Sequence, residues 1–132
     1  FDNDHLRRVL VNLLDNARDA CAGLQDATIL VRTRFSSGLQ LQAAEDRAPV
    51  RLPIEIRISD NGPGVPATMR EHLFEPFVTS KKSGHGLGLA VVRKLVRDMN
   101  GRISHERDEA AGLTHFRIHL PMARERMEEG RP

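Results

Sequence analysis

Tryptophan and tyrosine are missing altogether, and cysteine occurs once, at Cys21. A lone thiol cannot close an internal disulfide, so no cross-linked framework is expected and a reducing, cytoplasmic setting suits the chain. Every apolar run is shorter than the roughly 20 residues a membrane-spanning helix needs. No secretory leader pattern is visible. Five Phe make up the aromatic complement, and no Lys/Arg block is interleaved with them. That argues against a dedicated nucleic-acid binder. No single sign of charge dominates: 20 Lys and Arg face 18 Asp and Glu, for a net charge of +2. A phosphate-binding loop of the G-x-x-x-x-G-K-[ST] kind is absent, as is a G-x-S-x-G nucleophile elbow. His115 and His119 stand four apart on an expected strand, facing outward, without a Cys or carboxylate cluster, so no zinc site is expected.

The 132 residues, 39% hydrophobic and 29% charged, suit one domain with a real core. Residues 1–123 are expected to form that domain, with 124–132 a charged, fraying tail. The chain opens on Phe1 instead of Met, so a piece of a longer protein is expected. Residues 4–22 read as a helix, with Leu6, Val9, Leu10, Leu13, Leu14, Ala17, Ala20 and Cys21 on one broad arc. Asp4 is its expected N-cap and Gly23 its stop. Ala27–Arg34 reads as a strand, and 35–53 as a hairpin with a loose loop. Ile54–Asp60 is a strand, Pro66–Leu73 a short helix and Glu75–Gly86 a functional loop. Leu87–Met99 is a helix whose apolar side carries Leu89, Val92, Leu95, Val96 and Met99, stopped by Asn100-Gly101. Strands at Arg102–Arg107 and Thr114–Leu120 close the domain. This order lacks the alternation of a doubly wound sheet. An α+β, two-layer α/β sandwich is expected, with helices on one face of a mixed, mostly antiparallel sheet.

The most informative segment is Asp60-Asn61-Gly62-Pro63-Gly64-Val65. Ile54, Ile56 and Ile58 alternate with Glu55, Arg57 and Ser59, so one strand face delivers the Asp60 carboxylate to the apolar side where two glycines break the strand. Burying a carboxylate without a donor is costly; a base with an exocyclic amine would supply one. Thr114 opens a strand whose alternate residues Phe116, Ile118 and Leu120 face the core, making it a second polar group near a strand end. Asn12, Asn16 and Asp19 share a window of about 60° on the first helix, bordering its apolar arc. They read either as a solvated face or as ligands, an Asn carbonyl being a suitable oxygen donor to Mg²⁺. Gly84-His85-Gly86-Leu87-Gly88-Leu89 runs straight into a helix, where amides and dipole suit a phosphate. A loop precedes it, so the dinucleotide-binding fingerprint fails. Lys81 and Lys82 lie within reach of a phosphate tail.

Taken in order, these segments resemble the catalytic ATP-binding domain of two-component sensor histidine kinases, in the gyrase–Hsp90–kinase–MutL superfamily. Asn12-Leu13-Leu14-Asp15-Asn16-Ala17 resembles the N box and Asp60-Asn61-Gly62-Pro63-Gly64 the G1 box. Phe74-Glu75-Pro76-Phe77 resembles the F box, Gly84–Leu89 the G2 box, and Gly112-Leu113-Thr114 a terminal G-x-T element. The likeness implies the Bergerat-type ATP-binding fold. It also implies that Asp60 binds the adenine amine, Asn16 ligates Mg²⁺, Asn12 lines the phosphate site and Thr114 helps hold the base. Gly62, Gly64 and Val65 would lie against the base. The lid, with Phe77, Lys81, Lys82, Gly84 and His85, would close over the triphosphate, and Gly86, Leu87, Gly88 and Leu89 would offer it the helix start. Two departures matter. ATP-hydrolysing relatives carry a glutamate where this chain has Asn12, which cannot act as a general base. Many kinases also place a lysine where this chain has Asp19, leaving Mg²⁺, Lys81, Lys82 or Arg18 to neutralise phosphate.

Phe77-Val78-Thr79-Ser80-Lys81, the Gly-Leu-Gly-Leu-Ala-Val-Val stretch and the insertion around 35–53 are similar to the nitrogen-regulation (NtrB-type) sensor kinases, although a dicarboxylate-transport sensor kinase has a similar ending. The likeness implies a cytosolic kinase that phosphorylates an NtrC-type response regulator and is governed by a PII signalling protein. No acceptor motif of the H-[ED]-x-x-x-P kind surrounds any of the six histidines. The acceptor is therefore expected on a separate dimerisation domain, with this chain a monomer that touches neither nucleic acid nor membrane. A slow ATPase clamp and a nucleotide-binding module without catalysis are the alternatives.

Overall fold

The computed structural model describes residues 2–36, 40–42, 49–76 and 88–122, with 40–42 and 49–51 described in backbone only. Helix α1 runs Asn3–Ala20, strand β1 Ile29–Phe35, β2 Gln40–Gln42, β3 Pro49–Arg51 and β4 Ile54–Asp60. A 3-10 helix covers Ala67–His72, then come helix α2 at Gly88–Asp98, β5 at Arg102–Asp108 and β6 at Leu113–Leu120. Strands order β1-β4-β6-β5 in a sheet whose three pairings are all antiparallel, and β2 pairs with β3 in a separate antiparallel hairpin. The two-layer sandwich expected from the element order is therefore what the chain forms, with α1 and α2 packed together over one sheet face.

The period-2 pattern of β4 and β6 puts Ile56, Ile58, Phe116, Ile118 and Leu120 into the core, against Val9, Leu13 and Ala17 of α1 and Val92, Leu95, Val96 and Met99 of α2. Boundaries depart from the sequence reading where end chemistry decides them. The N-cap of α1 is Asp2 instead of Asp4, since its extended backbone lets Oδ1 accept from the amides of Asp4 (2.8 Å) and His5 (3.3 Å). Asp4 then occupies the first turn, where the helix dipole favours an acid. The helix ends at Ala20, and Gly23, at φ +89°, turns the chain. Leu14, placed on the apolar arc, lies at its margin and is exposed. After α2, Asn100 takes φ 63° and its successor Gly101 is tightly enclosed. A Cβ there would meet the His119 carbonyl oxygen at 2.5 Å.

β1 starts and ends one to two residues later than expected, and all seven of its residues are exposed. It forms the sheet edge, beyond the reach of the two helices.

Candidate functional site

Asp60 ends β4 and pairs in register with Thr114 at the start of β6; both are buried, at 2% and 5% exposure. The expected juxtaposition of two polar groups on the core-side face thus exists. Asp60 already has one donor from the protein: its Oδ1 accepts from the Gly62 amide at 2.9 Å. Burial pushes its carboxyl above the usual range, opposed by that amide and by the nearby charges of Arg107 and His115.

Gly62 joins this pair to helix α1. A Cβ at position 62 would lie 2.5 Å from the Ala20 carbonyl oxygen, so only glycine allows the turn to rest on the helix end. Asn12, Asn16 and Ala20 follow one another at four-residue intervals on one flank of α1, and both asparagines are half-buried. The N-box face therefore leads directly to the glycine turn. Asp19 is exposed, and Arg18 pairs with Asp15 at 3.3 Å on the helix surface. The amide oxygens of Asn12 and Asn16 are hard, neutral donors of the kind that fit Mg²⁺ beside phosphate.

Gly64 turns at φ +79°. Val65 is half-buried against the core, and its carbonyl accepts from Arg70 Nε at 3.4 Å. Phe74 of the F box packs edge-on to Phe116, their ring centres 6.2 Å apart. Helix α2 begins at Gly88, with Leu89 partly buried against the core. Phe77, Lys81, Lys82, Gly84, His85, Gly86 and Leu87 lie outside the described residues.

Three groups escaped the sequence reading. Arg107 of β5 pairs in register with Thr114 and donates from Nη1 to Thr114 Oγ1 and to the Gly62 carbonyl, each at 2.9 Å. Its phase was readable, since Ile103, His105 and Arg107 alternate toward the core, but a lone arginine carries no motif. Glu109 accepts from Arg107 Nε (3.4 Å) and Arg70 Nη2 (3.0 Å), bracing the arginine from the solvent side. Asn61 fastens the turn after α1, taking the Thr28 amide at 2.8 Å and donating to the Asp26 carbonyl at 2.8 Å. On the opposite sheet face His115 does point away from the helices, as expected, yet it is buried there with its Nδ1 2.6 Å from Ser59 Oγ.

A family model described as "Histidine kinase-, DNA gyrase B-, and HSP90-like ATPase" matches residues 1–124. The chain belongs to that family. Among curated members of this ATPase family it is similar to the sensory histidine kinase/phosphatase NtrB of Rhodobacter capsulatus, 44% identical over 122 residues, or 92% of this chain and 33% of the relative. The NtrB of Rhizobium leguminosarum bv. phaseoli is 40% identical over 124 residues, or 94% of this chain and 32% of the relative. The chain thus spans about a third of the length of the curated relatives it matches. Among solved structures, the mycobacterial sensor histidine kinase MprB superposes with TM-score 0.72 at 30% identity, over 92% of this chain and 74% of that one. Within the family, the likeness is to the catalytic ATP-binding domains of sensor histidine kinases.

Proposed function

We propose that the chain binds Mg-ATP and donates the γ-phosphate to a histidine on a separate dimerisation domain of the same sensor kinase. The observation that carries this reading is the buried Asp60–Thr114 pair, closed by a glycine turn that rests on the asparagine-bearing helix. Asp60 receives the exocyclic amine of adenine, and Thr114 helps hold the base. Asn12 lines the phosphate site and Asn16 ligates Mg²⁺, which when bound neutralises phosphate charge. The lid expected over Glu75–Gly86, with Lys81 and Lys82, would close over the triphosphate, and the start of α2 at Gly88 would offer it amides. Catalysis in this reading is positioning plus charge neutralisation. Asn12, lacking a titratable group, leaves no base on this helix position to activate water, which favours transfer over hydrolysis.

The NtrB relatives support a role in nitrogen control, with an NtrC-type response regulator receiving the phosphate and a PII protein governing the kinase. The domain works in the cytoplasm, and in isolation it is a monomer. Among the described residues no helix is long and apolar enough to cross a membrane.

The test mixes the 132-residue chain with γ-labelled Mg-ATP and the purified dimerisation domain of an NtrB relative, beside an Asp60→Asn control. Acid-labile label on the acceptor, lost in the control and absent when the chain is incubated alone, is expected. Label released only as free phosphate would overturn transfer in favour of an ATPase.

A further inference from the structure

Arg107 stands beside the Asp60–Thr114 pair with its side chain only 9% exposed. A Cβ at Gly64 would lie 3.2–3.3 Å from its Cδ, Nε and Cζ, so the guanidinium is packed onto the glycine turn. Its Nη1 is held at 2.9 Å by both Thr114 Oγ1 and the Gly62 carbonyl. A guanidinium has donors and no acceptor. In the bond to Thr114 the hydroxyl oxygen must therefore accept, and the hydroxyl proton is left to point elsewhere. Among the described residues no acceptor takes that proton. Asp60, when ionised, can only accept, and one of its oxygens is engaged by Gly62. A molecule meeting the two side chains thus finds an acceptor at Asp60 next to a donor at Thr114, and the second half of that pattern is set by Arg107.

We propose that Arg107 is a specificity-determining positioning residue: by occupying one of the two acceptor lone pairs of Thr114 and setting its charge against a second incoming donor, it biases the hydroxyl toward donation and makes the site read 6-aminopurines against 6-oxopurines. The inference rests on the nucleotide reading above. Adenine offers an amine donor at C6 beside the unprotonated N1 acceptor, which complements acceptor and donor in that order. Hypoxanthine and guanine offer a carbonyl oxygen beside a protonated N1, the reverse order. Without Arg107 both lone pairs of the Thr114 hydroxyl are open to a protonated N1 and no neighbouring guanidinium opposes that donor, so one of the two mismatches is relieved. Asp60 still opposes the 6-oxo group, and discrimination falls in part.

The experiment titrates the 132-residue chain with ADP and with inosine diphosphate at fixed Mg²⁺, in wild type, Arg107→Ser, Arg107→Gln and Thr114→Val. The affinity ratio between the two nucleotides is the readout, because general loosening of the fold weakens both ligands together. In Arg107→Ser the ratio is expected to fall about tenfold, the size of one buried mismatch relieved. Gln keeps an amide donor for Thr114 and is expected to hold the ratio within about twofold of wild type, which also serves as the test should the Ser variant fail to fold. Thr114→Val and Arg107→Ser together are expected to lower the ratio no further than either alone. Wild-type chain that binds neither nucleotide would sink the nucleotide reading and this inference with it. ADP binding with an unchanged ratio in Arg107→Ser, or a ratio lost in Arg107→Gln, would overturn the role of Arg107 alone.

Discussion

Asp60 carries opposing demands. Its carboxyl is raised chiefly by burial, and the Gly62 amide, Arg107 and His115 only partly offset this. An acid held above its ordinary 3.8 retains its proton longer in the folded chain than in the unfolded one. Its contribution to stability therefore falls as pH rises from that ordinary value through the raised one, and the full penalty stands above it. A base amine that donates to the ionised form would relieve the penalty on binding. Asp60→Asn should separate the two roles, because an amide oxygen can still accept from Gly62 while the charge is gone. We expect the melting temperature of the ligand-free variant to rise by a few degrees at neutral pH while binding of adenine nucleotide is lost. A fall in melting temperature would mean that the attraction of Arg107 outweighs burial. The place of Asp60 was legible from the Ile-x-Ile-x-Ile-x-Asp alternation, and that of Thr114 from the pattern of β6. The guanidinium partner of Thr114 was not, because hydrogen bonds such as the one from Arg107 to Gly62, 45 residues apart, leave no trace in local periodicity.

At the scale of the element, the sheet has two unlike faces. Helices α1 and α2 cover the side of Ile56, Ile58, Phe116 and Ile118. The other side carries Arg32, Arg57 and Arg117 directly opposite one another across β1, β4 and β6. Arg117 is neutralised by Glu106 at 2.6 Å and approaches Glu55 at 3.9 Å. Arg57 has a buried Nε without a partner among the described residues. Like charges opposite one another oppose strand pairing, and an unmet buried donor adds to that. Arg57→Thr places a β-branched residue there and removes both effects. It should raise the unfolding free energy by about 0.5–1 kcal/mol, read from urea denaturation at unchanged m-value. Addition of salt should stabilise wild type more than the variant. A less stable variant would show that the arginine stem contributes more by covering apolar surface than its charge removes. The strand expected over Ala27–Arg34 rests on β-branched composition, which says nothing about which strand stands at the edge. Ile29, Val31 and Phe35 lie on the helix side of the sheet, opposite Asp60, Ile58 and Ile54, and are exposed because their strand lies beyond the helices, a matter of strand order alone.

For the whole molecule, acid sensitivity follows from two histidines, His105 half-buried and His115 buried. His105 packs against Phe116 with ring centres 5.1 Å apart, and its Nε2 has no partner among the described residues. Burial holds it below the ordinary 6.5, reinforced by Arg70 and Arg107. Burial also holds His115 low, with Arg117 and Arg57 acting the same way. As pH falls through the ordinary value, the unfolded chain takes up these protons before the folded one does. Their contribution is complete above about 6.5 and is lost on acidification. Asp60 acts in the opposite sense, from 3.8 upward, so the histidines are expected to dominate the mildly acidic range. Urea unfolding between about pH 5 and 8 should give a free energy that declines toward acid, and His105→Phe should show a shallower decline. An unchanged slope in that variant would exclude His105 as a source.

Element types, the two-layer architecture, the core faces of both helices and of β4 and β6, and the family can all be read from the order of residues. Each of these is written locally, in 3.6- and 2-residue periods and in the order of short glycine- and asparagine-containing segments. Tertiary structure alone decided that β1 is a bare edge, that Gly62 rests on the carbonyl of Ala20, and that Arg107 grips Thr114 and Gly62 at once. Those features depend on strand order, on cross-strand register and on the close approach of a turn to a helix end. Each brings together residues far apart in sequence, and no period along the chain records such a meeting.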